Sequence, residues 1–497
     1  MRTFVTTTLT LALLVLLQGC DSIVERTEPS TAISQEVALS NPDAVQGVRA
    51  SMYDWMHDQQ LSTDWLLGPS ALADDTFFRS NQERHQELNR NLLRAGIGTN
   101  AYDEIYNLLN DANILVSGIE EGVLPEAEAQ QLRAEGLFMR ALVLHHAVRT
   151  FGYDPDGQGG VLTPASGPGS GFNLGVEIRT TPTLSVADAT PQPRAPVPEV
   201  YSQITSDLSE AISIFSAGNQ EGSAFYPSQA AAEALLARVQ LYQRNWAEAD
   251  TRAQNAIDLA ASTFGSGLAT SADELYSIFD ETAGNNPEAI FTIDTDPATE
   301  SAGVNNSLAA FTSMQYVAQL PTQDLIDAYE DGDLRRDAWY QPCFNDIDGS
   351  TPPGCDLIND QGLELRKYAA EQGASRFADD YIHLRIAEMY LIQAEARLNT
   401  SGPGAAISRL DELRTTRGLE PYDGPTTTEA VYDAILEERR RELVAEGHRF
   451  FDLKRLGRDI EKAQGRDNIP FSDFRLLDDF PPNQLSVNPE LQQNPGY

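Results

Sequence analysis

The stretch Glu438–Arg455, ERRRELVAEGHRFFDLKR, decides the fold of this chain. Its glutamates and arginines recur three and four residues apart, a spacing at which side chains meet on one face of an α-helix. Leucine and phenylalanine recur at helical spacing as well, which predicts ion pairs on one face and packing on the other. Glu438, Glu446, His448 and Asp452 lie close enough in sequence to suggest catalysis, but the pattern favours a structural role. We expect His448 to form a hydrogen bond at a helix end rather than to act as a general base.

Helical periodicity extends from this stretch along most of the chain. Helices are predicted over residues 42–56, 102–119, 125–150, 197–215, 228–243, 246–260, 323–329, 381–398 and 429–446, and one strand at Ala289–Ile293. The helices at 228–243 and 246–260 resemble a tetratricopeptide hairpin, because small residues let two helices approach and aromatic residues fill the junction. Helix pairs at 102–150 and 381–417 suggest further hairpins. The predicted fold is therefore mainly α.

Two regions lack this periodicity. Residues 154–196 are rich in Gly, Pro, Ser and Thr and predict a long loop. The glycine-rich run at 167–171 lacks the lysine and the strand–helix setting of a phosphate-binding loop. Residues 262–378 are irregular and predict a loop-rich lobe.

The first twenty residues have the pattern of an export signal. A basic start at Met1–Arg2 is followed by the apolar run Leu11–Leu17. The sequence Leu17–Gln18–Gly19–Cys20 resembles a bacterial lipobox, which implies cleavage before Cys20 and lipidation of its thiol by acyl chains such as palmitate. Residues 1–19 are therefore a predicted signal peptide.

The alternative for this segment is a cysteine in a short transmembrane helix. The apolar run is shorter than the ~20 residues that a bilayer requires, and Asp21 follows the cysteine at once. Residues 20–40 are polar and mixed, and we expect them to form a lipidated tether between the membrane and the body of the protein.

The chain is strongly acidic, with a formal charge of −39 and a pI of about 4.3. Nucleic acid is excluded as an expected partner, because phosphate binding needs a basic surface. Lysine occurs only at positions 367, 454 and 462. An acidic, lysine-poor composition is typical of proteins from salt-loving organisms, in which salt screens the self-repulsion. An ordinary acidic secreted protein is the alternative.

Cysteine and histidine offer no expected metal or cofactor site. Cys343 and Cys355 lie in one loop, and in an exported protein we expect them to form a disulfide, with two free thiols as the alternative. Adjacent histidines, His145 and His146, point to different faces of a helix and do not chelate one ion as an i, i+4 pair can. We expect no cofactor.

Several motifs together carry a family resemblance. The stretch Glu438–Arg455 resembles the C-terminal signature of the SusD/RagB family of outer-membrane lipoproteins, and the chain's end resembles that family's terminus. Further similar segments are Ala134–Ala141, Gly332–Arg336, Ile386–Ala396 and Asn488–Tyr497. These motifs follow the family order along nearly the whole mature chain. One departure is Phe480–Gln484, where the family more often has Pro–Ile–Pro.

The resemblance implies a fold, a partner and a location. It implies a tetratricopeptide-like scaffold, with an N-terminal helical region at 41–261 and a C-terminal region with a variable ligand-binding segment at 262–497. It implies a non-catalytic nutrient-binding protein, anchored by lipid in the outer membrane and facing outward. Such a protein captures an oligosaccharide or oligopeptide and passes it to a SusC-like TonB-dependent β-barrel transporter.

The resemblance also directs the search for ligand-binding residues, since family ligands tend to contact two loop regions. Sugar binding needs aromatic platforms and planar polar groups, and both occur at 64–81 and 305–340. The expected ligand-binding residues are Trp65, Asp75, Phe78, Arg79, Asn81, Phe311, Tyr316 and Trp339.

Two other functions remain open from the sequence. The first is a surface-anchored glycoside hydrolase, which needs two spaced carboxylates. Acid pairs such as Asp74–Asp75 occur, although 74 acidic residues make such pairs common by chance. The second is a helical-repeat adaptor that binds only proteins.

Overall fold

The computed structural model describes most of the chain beyond the predicted tether. It covers residues 40–78, 97–279, 286–296, 300, 303, 306–313, 317–342, 362–368, 377–378, 380–462 and 466–497. The predicted signal peptide, Cys20 and residues 21–39 lie outside the described residues.

The described residues form sixteen α-helices. They are α1 Pro42–His57, α2 Thr63–Leu72, α3 Ile97–Ser117, α4 Glu126–Phe151, α5 Val197–Ser216, α6 Gln229–Tyr242, α7 Trp246–Phe264, α8 Ala272–Ser277, α9 Leu308–Thr312, α10 Gln323–Asp327, α11 Leu334–Trp339, α12 Ile386–Ser401, α13 Pro403–Thr416, α14 Thr428–Glu442, α15 Arg449–Arg455 and α16 Pro482–Val487.

Consecutive long helices pack side by side as a series of hairpins. Helix α3 packs on α1 and α4, α4 on α5, α5 on α6, α6 on α7, and α7 on α12, which pairs with α13. The helix starts follow local capping chemistry, because the side chains of Asn41, Ser228 and Thr427 each accept a hydrogen bond from a first-turn N–H. The predicted helices are found within a few residues of their expected bounds.

Close approach of α3 and α4 depends on a glycine. A Cβ on Gly136 of α4 would lie 2.8 Å from the backbone oxygen of Ala112 and 3.1 Å from the Leu115 side chain. Only a residue without a side chain permits this helix contact.

Short strands make three two-stranded antiparallel sheets in the described residues. They are β1 Thr76–Phe78 with β3 Gln319–Pro321, β2 Ala289–Ile293 with β6 Tyr381–Arg385, and β4 Tyr340–Pro342 with β5 Leu363–Leu365. The predicted strand at 289–293 is present. The helix predicted over 381–398 is wrong in its first turn, because 381–385 pairs with β2 and the helix begins at Ile386.

The helix predicted over 429–446 also ends early, at Glu442. Ala445 has φ 59° and Gly447 has φ 78°, a conformation that a continuous helix does not contain. Gly447 meets a second requirement, since a Cβ there would lie 2.8 Å from the Trp65 oxygen of α2. The signature 438–455 is therefore two helices joined by a turn that packs on α2.

The Lys367 Nζ donates to the carbonyls of Glu442, the last residue of α14, and of Val444 beyond it, at 2.9 and 3.1 Å. The Lys454 Nζ donates to the Gly152 carbonyl beyond α4, and the Lys462 Nζ donates to three carbonyls at the end of α2. A cation in this place satisfies carbonyls that have no helical partner and offsets the negative end of the helix dipole.

The long loop at 154–196 contains no helix or strand. Two isolated bridges, Pro155–Val161 and Leu174–Pro196, fold it back on itself. Among the described helices, none combines the length and the apolar character needed to cross a bilayer.

Candidate functional site

A buried cluster of ion pairs joins the signature stretch to Arg335, which lies within the second predicted ligand-binding region. At its centre, the Glu442 carboxylate accepts hydrogen bonds from Arg335, Arg385 and Arg417, at 2.7–3.0 Å. All four side chains are at most 1% exposed. Burial alone would raise the pKa of Glu442, but the three guanidinium groups hold it well below its usual range.

Glu438 and Glu446 extend this cluster along the signature stretch. Glu438 pairs with Arg335 and with Arg441, and although burial raises its pKa, the neighbouring arginines lower it to about 2. Glu446 binds Lys367 at 2.5 Å and Arg385 at 2.7 Å. The predicted structural role of this stretch agrees with these contacts. However, its main partners come from other parts of the chain rather than from one face of its own helix.

His448 does not make the predicted helix-end hydrogen bond with its ring. It stands at the start of α15, where its side chain forms no capping bond. Burial lowers its pKa well below the usual value. The ring is a packed, neutral group.

The adjacent acids Asp74 and Asp75 are both bound by arginines of the signature stretch. Asp74 accepts two hydrogen bonds from Arg449, at 2.8 and 2.7 Å, and Asp75 accepts one from Arg440 at 2.5 Å. Burial raises the pKa of Asp75 to about 6, whereas Arg449 holds that of Asp74 below its usual value despite burial. A hydrolase needs two carboxylates facing a substrate, and these two face arginines.

The strand pair β1–β3 brings the two predicted ligand-binding regions together. Phe78 is paired with Gln319, and the Phe78 ring lies 6.5 Å from the Phe311 ring. The Gln319 amide fixes this pair to α2, because it donates to the Leu67 carbonyl and the Thr76 hydroxyl, at 3.1 and 2.6 Å. The end of β1 therefore lies beside the start of β3.

Five of the predicted ligand-binding residues lie in the interior. Trp65, Asp75, Phe78, Phe311 and Trp339 are each at most 3% exposed. They were expected on exposed loops, and this part of the expectation is not met. A ring with both faces packed offers no platform to a sugar. These residues are buried because they contact segments that are distant in the sequence.

The two tryptophans illustrate these contacts. Trp65 lies between two histidine rings, with centroid distances of 3.6 Å to His146 and 5.7 Å to His383. Trp339 donates its indole N–H to the Leu275 carbonyl at 3.1 Å, and the Lys367 ammonium lies 4.0 Å from its ring centroid. Both rings therefore stabilise the core.

The other predicted site residues fall outside the described residues. Arg79, Asn81 and Tyr316 do so, as do Cys343 and Cys355. Their roles stay predictions.

No metal centre is evident in the described part of the chain, where no three His, Cys, Asp or Glu side chains cluster suitably. His145 and His146 do point to different sides of α4, the first toward Tyr201 and Tyr242 and the second toward Trp65.

Three residues that hold the two regions in place, Gln319, Arg440 and Arg449, are not evident as such from the sequence. Their contacts join positions 240 to 375 residues apart, such as Arg449 and Asp74. The available signal was the unusual density of arginine in the signature stretch.

Two family profiles match this sequence. Residues 348–497 match the SusD family, and residues 26–241 match a family described as starch-binding and associating with the outer membrane. Two SusD-like proteins of Formosa agariphila are 26% and 25% identical to this chain. Their alignments cover 100% and 98% of both chains.

Solved structures share the fold over nearly the full length. A putative sugar binding protein from Bacteroides vulgatus superposes with a TM-score of 0.75, covering 93% of this chain and 99% of that chain. A SusD superfamily protein from Bacteroides thetaiotaomicron gives 0.76, and a laminarin binding SusD-like protein gives 0.68; each covers 92% of this chain and 100% of the other. All three are 22% identical to this chain. The predicted mainly helical, SusD-like fold is confirmed.

Proposed function

Because this chain belongs to the SusD/RagB family, we propose that it is a nutrient-binding lipoprotein that captures an oligosaccharide at the outer membrane. The strand pair β1–β3 carries the proposal, because it holds the ends of two loop regions together at one place. Phe78, Phe311 and Asp75 are the buried support of this place, and the ligand contacts come from the positions that follow, Arg79, Asn81 and Tyr316.

An oligosaccharide is favoured over a peptide by what the relatives bind. One solved relative is described as laminarin binding and another as sugar binding, and the N-terminal family profile is described as starch-binding. A charge of −39 also disfavours polyanionic glycans. The ligand class proposed is a neutral oligosaccharide.

The partner and the anchor are parts of the same proposal. Lipid on Cys20 holds the protein to the outer membrane, outward-facing, with residues 21–40 as its tether. A SusC-like TonB-dependent barrel receives the ligand. Co-purification with a barrel encoded by a neighbouring gene supports this partnership, and the lack of such a neighbour counts against it.

Calorimetry with neutral oligosaccharides and peptides, at high salt, tests the binding site. Arg79→Ala and Tyr316→Ala are expected to weaken oligosaccharide binding about tenfold or more, since each removes a direct contact. Arg458→Ala, which removes an exposed arginine paired with Asp433, is the matched control. Trp65→Ala and Trp339→Ala are unsuitable variants, because both rings are buried in the core.

Other outcomes separate the alternatives. Unchanged affinity in both loop variants would remove this site from the proposal. Release of shorter sugars by the purified protein would favour the glycoside hydrolase. Tight protein partners with no small ligand would favour the adaptor.

A further inference from the structure

A polar groove lies apart from the strand pair β1–β3. It has a volume of about 690 Å³ and lies between α3, the loop at 177–191 and α16. No residue of the segments 40–78 or 317–342 lines it. Its size is within the range of about 300–1,000 Å³ that is typical of small-molecule sites.

Hydrogen bonds between side chain and backbone hold the groove open in a fixed shape. The Asn110 amide accepts from the Thr183 N–H at 2.7 Å and donates to its carbonyl at 3.3 Å. The Asn113 amide donates to the Arg179 carbonyl at 3.0 Å and accepts from Arg140 at 2.8 Å. The loop is thereby tied to α3 along one turn of the helix, and a ligand would find the site preformed.

Two tyrosines and a buried glutamate form one end of the groove. The rings of Tyr102 and Tyr106 lie 4.6 Å apart, and both hydroxyls donate to the Glu177 carboxylate at 2.8 Å. Glu177 is 1% exposed. Because both hydroxyls donate to Glu177, the two rings and the carboxylate form a fixed wall at this end of the groove.

Groups that can bind a ligand line the open side. Asn107 is exposed on α3, and its amide makes no hydrogen bond to any described residue. The Arg179 guanidinium makes one bond, to the Thr190 carbonyl at 3.2 Å, and has further donors. Val487 at the rim is 70% exposed and offers an apolar contact. Amide, guanidinium and phenol groups around a partly apolar wall suit sugar hydroxyls and their C–H faces.

We propose that this groove is a second oligosaccharide site, separate from the one at the strand pair. The inference rests on the proposed function, because it extends glycan binding to a second place on the molecule. The ligand is neutral, since Asp103 and Glu177 line the groove together with Arg179, and the lining therefore has no net positive charge for an anion. Two sites on one chain would hold a long glycan at two points and raise its overall affinity.

A second cleft, of about 560 Å³, lies along α1 and is a weaker candidate for the second oligosaccharide site. Its one guanidinium, Arg49, is bound to Glu135 at 2.7 Å and lies over the Tyr226 ring at 4.6 Å. Both the cation and one face of the aromatic ring are therefore already used within the protein.

Calorimetry of the full chain with linear neutral glucan hexasaccharides, both β-1,3- and α-1,4-linked, tests the inference. The wild type is expected to bind two sugars per chain. Asn107→Trp fills the groove and reduces this number to one, and Asn107→Ala weakens the groove site about fivefold. Asn399→Trp, at an exposed asparagine of α12, is the matched control and keeps two sites. Crystals soaked with the same sugar are expected to show it against Asn107.

The outcomes separate this inference from the proposed function. The wild type could bind one sugar per chain, with binding unchanged by Asn107→Trp and lost in Tyr316→Ala. This result overturns the groove as a binding site and keeps the proposed function. If the wild type binds one sugar per chain and this binding is lost in Asn107→Trp but kept in Tyr316→Ala, the groove is supported and the loop site is overturned. No binding of any neutral glucan overturns both, and a peptide that binds the groove while sugars do not overturns the ligand class.

Discussion

At the scale of single residues, glycines mark where backbone contacts set the packing. Gly136→Ala is expected to destabilise the protein by about 1 kcal/mol net, although alanine favours a helix over glycine by about 1 kcal/mol. The added Cβ would lie 2.8 Å from the Ala112 oxygen, and overpacking of this kind costs about 1–3 kcal/mol. Chemical denaturation measures the free energy of unfolding.

Gly47 provides the matched control for this prediction. It is an exposed glycine within α1, and a Cβ added there meets nothing within 4 Å. Gly47→Ala is therefore expected to stabilise the protein by about 0.5–1 kcal/mol. Equal effects of the two substitutions would contradict the close approach of α3 and α4.

The sequence predicts the ligand-binding site least well at the level of single residues. Trp65 and Trp339 stand near loops in the sequence, yet they are core residues, because their neighbours His146, His383 and Leu275 come from distant segments. An aromatic residue that binds sugar and one that packs in a core are of the same type, and only long-range contacts separate them.

At the scale of elements, the signature stretch is the junction between the helical hairpins and the loop-rich lobe. Glu442→Gln is expected to destabilise the protein by about 3–5 kcal/mol, because it leaves Arg335, Arg385 and Arg417 buried without their central carboxylate. Thermal and urea unfolding, followed by circular dichroism, measure the loss.

The control lies on the same helix. Glu429 is exposed in the first turn of α14. Glu429→Gln is expected to lower the free energy of unfolding by at most about 1 kcal/mol, because it removes a favourable interaction with the helix dipole. A loss of under 1 kcal/mol in Glu442→Gln would mean that the ion pairs contribute little to stability.

Elements also differ in how far the sequence predicts them. The long helices follow from local periodicity and capping, so their bounds were predicted within a few residues. Strand β6 was missed because its partner, β2, lies about 90 residues earlier. The polar groove was missed for the same reason, since α3, the 177–191 loop and α16 meet only in the folded chain. Its one local signal was Asn107, Asn110 and Asn113, three residues apart on one helix.

At the scale of the whole molecule, buried histidines make the fold sensitive to acid. His145, His146, His383 and His448 are buried, and burial lowers the pKa of each, to about 3 for His383. Below the unfolded value of about 6.5, the unfolded chain binds protons that the folded chain does not. The contribution of these histidines is therefore fully present above about pH 6.5 and is lost as the pH drops, by about 1 kcal/mol per histidine at pH 5.5. The raised pKa of Asp75, about 6, has the opposite sign and offsets the loss from about one of the four histidines below pH 6.

Calorimetric melting from pH 7.5 to 5 at constant high salt tests this dependence. His383→Gln is expected to reduce the slope of Tm against pH by about a quarter to a third, whatever its effect on Tm itself. Asn399→Gln, at an exposed position of α12 whose side chain does not titrate, is the control and leaves the slope unchanged. The lowered pKa of Glu438 acts in a separate window, below about pH 4.3, so a flat profile between pH 7 and 5 would contradict the histidine account.

The placement of the three lysines at helix ends has a practical consequence for chemical trapping. Lys367 and Lys454 are 1% exposed, and the Lys462 ammonium is occupied by three carbonyls. Amine-reactive crosslinkers therefore find almost no side-chain target on the native surface. A negative result with such a reagent would say nothing against a transporter partner. Carboxyl activation, for which the chain offers 74 acidic residues, is the suitable chemistry for capturing that complex.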